Sequence, residues 1–243
     1  MSAAHVCVFH RGPAERDALL AGFFGAGVVA GEKCLCIADA TDARIAEHDL
    51  RASLPAAPAA GQLSVLTTDA YLTDGRFLPE RCVAQWDELL AGYVGEGFPA
   101  VRAAADVGWV LRAGVGRPAL FDYESRCNGL GHHPATIHCL YDLDRFGPGL
   151  VAGLLARHTG AIAGGVLVTA PRPDAVLRPG SRPWAATEGS GQQFLALANL
   201  LLAGAGGAEE IADLVAQVCA AAVDVDLAAV AWPAAPGAWT ARG

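Results

Sequence analysis

The chain has 243 residues, 53% of them hydrophobic, and a formal net charge of −8. That is enough apolar material for a full core in one large domain, or in a domain with an appendage. The mildly acidic balance, with no cluster of Lys and Arg, argues against a direct nucleic-acid surface, because neutralising phosphates needs a basic patch.

Apolar, β-rich runs alternate with longer helical patterns, which predicts a parallel sheet with crossover helices. In chain order, strands are expected over residues 5–9, 33–38, 62–66, 100–105, 136–141 and 165–169. Helices are expected between them over 14–30, 41–54, 79–95, 117–130 and 146–158. This order makes a doubly wound, mainly parallel α/β sheet the economical fold. No apolar run reaches the roughly 18 residues of a membrane span, and no charged leader with an apolar stretch opens the chain, so no membrane contact and a cytoplasmic location are expected. The seven cysteines fall largely in apolar, strand-like segments and fit reduced, buried thiols better than a disulfide framework.

The first strand and turn look like the start of a nucleotide-binding domain, but the phosphate loop is missing. Such a loop needs glycines, then a Lys and a Ser/Thr for phosphate and Mg²⁺. Here the turn is His10-Arg11-Gly12-Pro13, the next helix opens with Glu15 and Asp17, and the only lysine is Lys33. Carboxylates suit a helix N-terminus but repel a phosphate bound there. The expectation is a fold kept and an ATP chemistry lost. An enzyme is not favoured, since no Gly-x-Ser-x-Gly, His-Glu-x-x-His or Gly-x-Gly-x-x-Gly motif occurs.

In doubly wound sheets, ligands sit at the carboxyl ends of the strands. The residues expected there are His10, Arg11, Asp39, Asp106, Trp109, Tyr141 and Asp142, with Tyr123 and Glu124 supplying a wall from a helix. Each alone is as readily a helix cap or core residue; together they outline a small-molecule site with aromatic faces and carboxylates, suited to an apolar or cationic guest. No cofactor is expected. The competing reading is a haem or transition-metal site drawn from Cys127, His132, His133, His138 and Cys139, with Cys34 and Cys36 as a further pair on one strand face. The spacing matches no closed zinc motif, and His132 and His133 before Pro134 read equally as a helix end.

The series His5-Val-Cys-Val-Phe-His10, Gly31-Glu32-Lys33-Cys34, Tyr71-Leu-Thr-Asp74-Gly75-Arg-Phe77-Leu-Pro79-Glu80, Gly108-Trp109-Val-Leu111-Arg112, Phe121-Asp-Tyr123-Glu124-Ser-Arg126-Cys-Asn128 and Leu140-Tyr141-Asp142-Leu143-Asp-Arg145-Phe146 resembles the MEDS family, the methanogen/methylotroph dichloromethane-regulator sensory domain. The resemblance runs in register from His5 to about Thr169. It implies a RecA/KaiC-like sensory module without a working phosphate loop, which recognises small organic molecules and is attached to an output.

Beyond the resemblance the chain departs from the family pattern: composition sets a Pro/Arg-rich connector over 171–187 and an acidic Ala/Leu-rich tail over 188–243 after a sensory domain over 1–170. Ser190-Gly-Gln-Gln193 has capping-box spacing before an apolar run. Residues 208–222 place Ile211, Leu214, Val215 and Val218 at helical intervals. A helical C-terminal extension is expected, contacting a regulatory protein or a second copy of the chain. No histidine follows His158, so the tail holds no phosphoacceptor histidine.

Overall fold

The computed structural model describes residues 4–170, 184, 191–222, 230–235 and 238–242. The chain divides into two compact units, one of Met1–Val6 with Arg11–Tyr141 and the other of Cys7–His10 with Asp142–Gly243.

The first unit begins with the opening residues of β1 (Ala4–His10) and continues through α1 (Gly12–Val29), β2 (Lys33–Ala38), α2 (Ala43–Ser53) and β3 (Leu63–Thr67). A small hairpin of β4 (Leu72–Thr73) and β5 (Arg76–Phe77) leads to α3 (Pro79–Gly95) and β6 (Val101–Asp106). Then come α4 (Trp109–Arg112), α5 (Arg117–Cys127) and β7 (Ala135–Asp142). The strand order is β3-β2-β6-β7-β1. The β2–β3, β2–β6 and β6–β7 pairs are all parallel. The fold is therefore mixed α/β with a mainly parallel sheet.

Strand alternation sends neighbouring side chains to opposite faces, and helices take up both. On one face His138 of β7 stacks on Phe23 of α1, with ring centroids 3.8 Å apart. On the other, Tyr141 of β7 meets Glu124 of α5. The approach of α1 to the sheet depends on Gly27, where a Cβ would stand 2.6 Å from Arg102 Cδ and 3.0 Å from Cys34 Sγ. Helix α2 starts at Asp42, whose carboxylate accepts the N–H groups of Arg44 and Ile45; this satisfies donors that have no partner inside the helix. Lys33 enters β2 buried, with Nζ donating to Ser64 Oγ at 2.8 Å and lying 4.3 Å from the Tyr93 ring centroid. Desolvation lowers its pKa.

The expected helix over 117–130 ends as an α-helix at Cys127 and tightens into a 3₁₀ turn, Asn128–His132. Gly129 and Gly131 in that stretch weaken continued α-helix.

The second unit contains Cys7–His10, α6 (Leu143–Phe146), α7 (Val151–Leu155), β8 (Gly160–Ala163), β9 (Val166–Thr169), α8 (Gly191–Ala203), α9 (Ala208–Ala222), β10 (Val230–Ala235) and β11 (Ala238–Arg242). Three expectations are corrected here. The single helix over 146–158 is broken into α6, a 3₁₀ turn at Pro148–Leu150 and α7, because Pro148 has no N–H to give and its ring crowds the preceding turn. The strand at 165–169 is not a further parallel strand. It is β9, paired antiparallel with β8, a strand not foreseen. Gly164 and Gly165, at φ +55° and +73°, form the two-residue turn between them, a backbone shape that suits the twist of a hairpin. The tail is not wholly helical, since β10 and β11 form an antiparallel hairpin.

Helices α8 and α9 are present and pack on each other, and α9 also packs on α7. Leu214 and Val218 are buried, whereas Ile211 is 42% exposed. Ser190 of the expected capping box and most of the connector lie outside the described residues; Trp184 is buried and donates its indole N–H to His158 O at 3.0 Å. Among the described residues, no helix is long and apolar enough to cross a membrane.

Candidate functional site

A cavity of about 590 Å³ opens over the carboxyl ends of β2 and β6. Ala38 and Asp39 of the β2 end and Asp106 of the β6 end form its floor, Arg16, Asp17 and Leu20 of α1 one wall, and α2 the other. Helix α2 presents Ile45, Ala46, Asp49, Leu50 and Ser53, a spacing that puts all five on one helical face. Ile45 is 62% exposed, a large apolar side chain left at the cavity mouth.

The charges at the floor are held by internal pairs. Arg16 Nη1 lies 3.3 Å from Asp106 Oδ2, and Arg16 Nη2 lies 2.8 Å from Asp17 Oδ1. Asp106 Oδ1 also accepts the Gly108 N–H at 3.0 Å. Arg112, just after β6, pairs with the nearly buried carboxylate of Asp39, which raises the Arg112 pKa. A guanidinium thus stands against Asp106 at the end of β6. At the start of α1 the Arg11 N–H donates to Glu15 Oε2 at 2.8 Å, so a side-chain carboxylate takes the backbone donor that an anion would use. The lining carries five carboxylates (Asp17, Asp39, Asp42, Asp49 and Asp106) against the guanidinium groups of Arg16 and Arg112. This excess of negative charge disfavours an anionic guest and suits a neutral or cationic one.

Of the residues singled out in the sequence, the structure brings Asp39 and Asp106 into this lining. Trp109 and Tyr123 lie in a buried aromatic cluster with Tyr71, Phe77 and Trp86. Tyr71 stacks on Trp109 with centroids 5.0 Å apart, and Trp86 Nε1 donates to Tyr123 OH at 2.9 Å. Burial pushes the Tyr71 and Tyr123 phenols well above their ordinary pKa. Tyr141 OH donates to Glu124 Oε1 on the α5 face of β7. His10 is buried in the second unit, where Asp142 caps α6 by accepting the Asp144 N–H at 3.1 Å.

The five Cys and His residues of the metal reading do not converge. His132 and His133 both reach Asp87 Oδ1, at 3.1 and 2.8 Å, and hold that carboxyl below its usual range. His138 stacks on Phe23, and burial with Arg102 nearby lowers its pKa to about 4. Cys139 points to the other sheet face, where its Sγ lies 3.3 Å from His5 Nε2. The Cys127 thiol is raised well above its ordinary pKa by burial and by Glu124. Cys34 and Cys36 are buried and free, with thiols pushed up to about 11 and about 12, which makes them poor nucleophiles.

Sequence reasoning missed Arg16, Arg112 and the whole α2 wall. The apolar spacing of Ile45, Ala46 and Leu50 was the available signal, though it reads equally as a core-facing stripe.

The family model for MEDS, the methanogen/methylotroph, DcmR sensory domain, matches residues 4–159. The chain belongs to the MEDS family. The MEDS match takes in every residue that lines the cavity and ends before β8 and the C-terminal helices. Among curated proteins, no relative matches the chain.

Proposed function

We propose that this MEDS protein is a sensory and regulatory protein that binds a small neutral or cationic organic molecule in the cavity over β2 and β6. Its fold is of the RecA/KaiC type, with the nucleotide machinery replaced by internal ion pairs, and it signals by protein contact through its C-terminal helices. The observation that carries this reading is the pairing of Arg16 with Asp106 beside an open cavity whose α2 wall is partly apolar. The strand order β3-β2-β6-β7-β1 and the bond from Arg11 N–H to Glu15 support the view that a nucleotide-binding ancestor lost its phosphate site. The volume falls in the range of small-molecule pockets, roughly 300–1,000 Å³, and membership of a sensory-domain family gives such a pocket a purpose.

The test is native mass spectrometry of gently purified protein beside the Ala46→Trp variant, whose indole would fill space on the α2 wall. The wild type is expected to carry an organic adduct that the variant loses while keeping its circular dichroism spectrum. An adduct that survives the substitution would move the ligand elsewhere and overturn the assignment.

A further inference from the structure

Apart from the cavity, the first unit holds a set of buried side chains that the small-molecule reading does not use. His5 on β1, Glu124 on α5 and Cys139 on β7 offer an imidazole nitrogen, a carboxylate oxygen and a thiol sulfur, all within 4.8 Å of one another. His5 Nε2 lies 3.1 Å from Glu124 Oε2 and 3.3 Å from Cys139 Sγ. The three residues are 4%, 0% and 1% exposed.

The atoms behind these three are oriented. The Asn128 side-chain N–H donates to the main-chain oxygens of Glu124 and Ser125, which fixes the amide so that Oδ1 faces His5 Nδ1 at 3.0 Å. An acceptor in that place calls for a proton on Nδ1, and in the neutral imidazole this turns the Nε2 lone pair toward Glu124 and Cys139. Tyr141 OH donates to Glu124 Oε1, and Oε2 lies 3.1 Å from His5 Nε2. A histidine held through its second nitrogen and a carboxylate held through its second oxygen form the outer arrangement that metal ligands use.

Charge points the same way. A thiolate, a carboxylate and a neutral imidazole carry two negative charges, and a divalent cation cancels both. The mixed sulfur, nitrogen and oxygen set suits zinc and similar ions and does not suit calcium or magnesium, which take oxygen ligands.

The geometry points to a structural site for a zinc-class divalent ion formed by His5 Nε2, Glu124 Oε2 and Cys139 Sγ, with Asn128 and Tyr141 as positioning residues. Only Cys139 is shared with the Cys/His set picked out by spacing. Binding displaces the Cys139 thiol proton to solvent and ties β1 and β7 to α5. Without an ion, the same distances describe a buried His5–Glu124 pair, and that arrangement predicts no metal uptake.

The test uses the full chain, stripped with a chelator and titrated with cobalt(II) as a spectroscopic substitute for zinc. One equivalent is expected to bind and to produce a near-ultraviolet thiolate-to-cobalt charge-transfer band. Cys139→Ser should abolish the band and weaken uptake at least tenfold, and Cys219→Ala, at a half-buried thiol on α9 outside the site, should leave both intact. Should Cys139→Ser fail to fold, Tyr141→Phe keeps the ring and removes the orienting hydroxyl, and is expected to weaken binding about tenfold or more. Absence of stoichiometric uptake, or a band unchanged in folded Cys139→Ser, overturns the site.

Discussion

Acidification should destabilise this protein through His138. The His138 ring is stacked on Phe23 at 3.8 Å. Burial, assisted by the Arg102 guanidinium, lowers its pKa from 6.5 to about 4. The folded state therefore keeps the ring neutral in a range where the unfolded chain already binds a proton. Stability that is fully present above pH 6.5 is lost as pH falls toward 4. Each unit of that interval corresponds to about 1.4 kcal/mol, so the whole shift is worth roughly 3 kcal/mol, an upper figure for a ring that retains some access to solvent. Urea unfolding of wild type and His138→Gln at a series of pH values isolates this effect, because the other titrating groups cancel in the difference. The wild-type advantage over the variant should shrink by about 2–3 kcal/mol between neutral pH and pH 4. A difference that does not change with pH would refute the burial argument, as would a histidine NMR titration with its midpoint near 6.5.

Gly27→Ala should lower stability by about 1–3 kcal/mol in the same denaturation assay, since the new Cβ falls 2.6 Å from Arg102 Cδ. A neutral result would mean that α1 can lift from β2 and β6 without cost. Trp86→Phe removes the 2.9 Å bond to Tyr123 OH inside the aromatic cluster and should cost about 1–3 kcal/mol, read as an earlier urea midpoint. Magnesium ATP should leave the melting temperature unchanged, because Glu15 occupies the Arg11 N–H and Arg16 occupies Asp106. A nucleotide-dependent rise in melting temperature would contradict the proposed loss of a phosphate site.

The parallel strands were legible because their apolar runs are long and set between helical patterns: β2 lies over the same residues as its predicted segment, 33–38. Strand β8 escaped notice because Gly160–Ala163 is four small or apolar residues with no β-branched run, although the Gly164-Gly165 turn signal stood beside it. The break at Gly147-Pro148 is written in the sequence, since proline ends or kinks a helix. Asp39 and Asp106, singled out by a general rule about strand ends, line the cavity. Their guanidinium partners were not singled out, because the bond from Arg16 to Asp106 joins positions 90 residues apart. For the same reason His5 and Cys139, 134 residues apart, could not be matched as neighbours, and a search by local Cys/His spacing led to residues that face different ways. Trp109 shows the converse difficulty: an aromatic residue next to a strand end is the same letter in the sequence whether it lines a pocket or, as here, stacks on Tyr71 in the core.

The most direct test of the small-molecule account is an amide NMR titration of isotopically labelled full-length protein with a panel of small organic amines and alcohols. The account predicts that at least one compound perturbs the amides of Leu20, Ala40, Ile45 and Ala46, which line the cavity from three segments, before any other part of the chain. No perturbation by any member of the panel, or shifts confined to α8 and α9, would contradict a ligand site over β2 and β6.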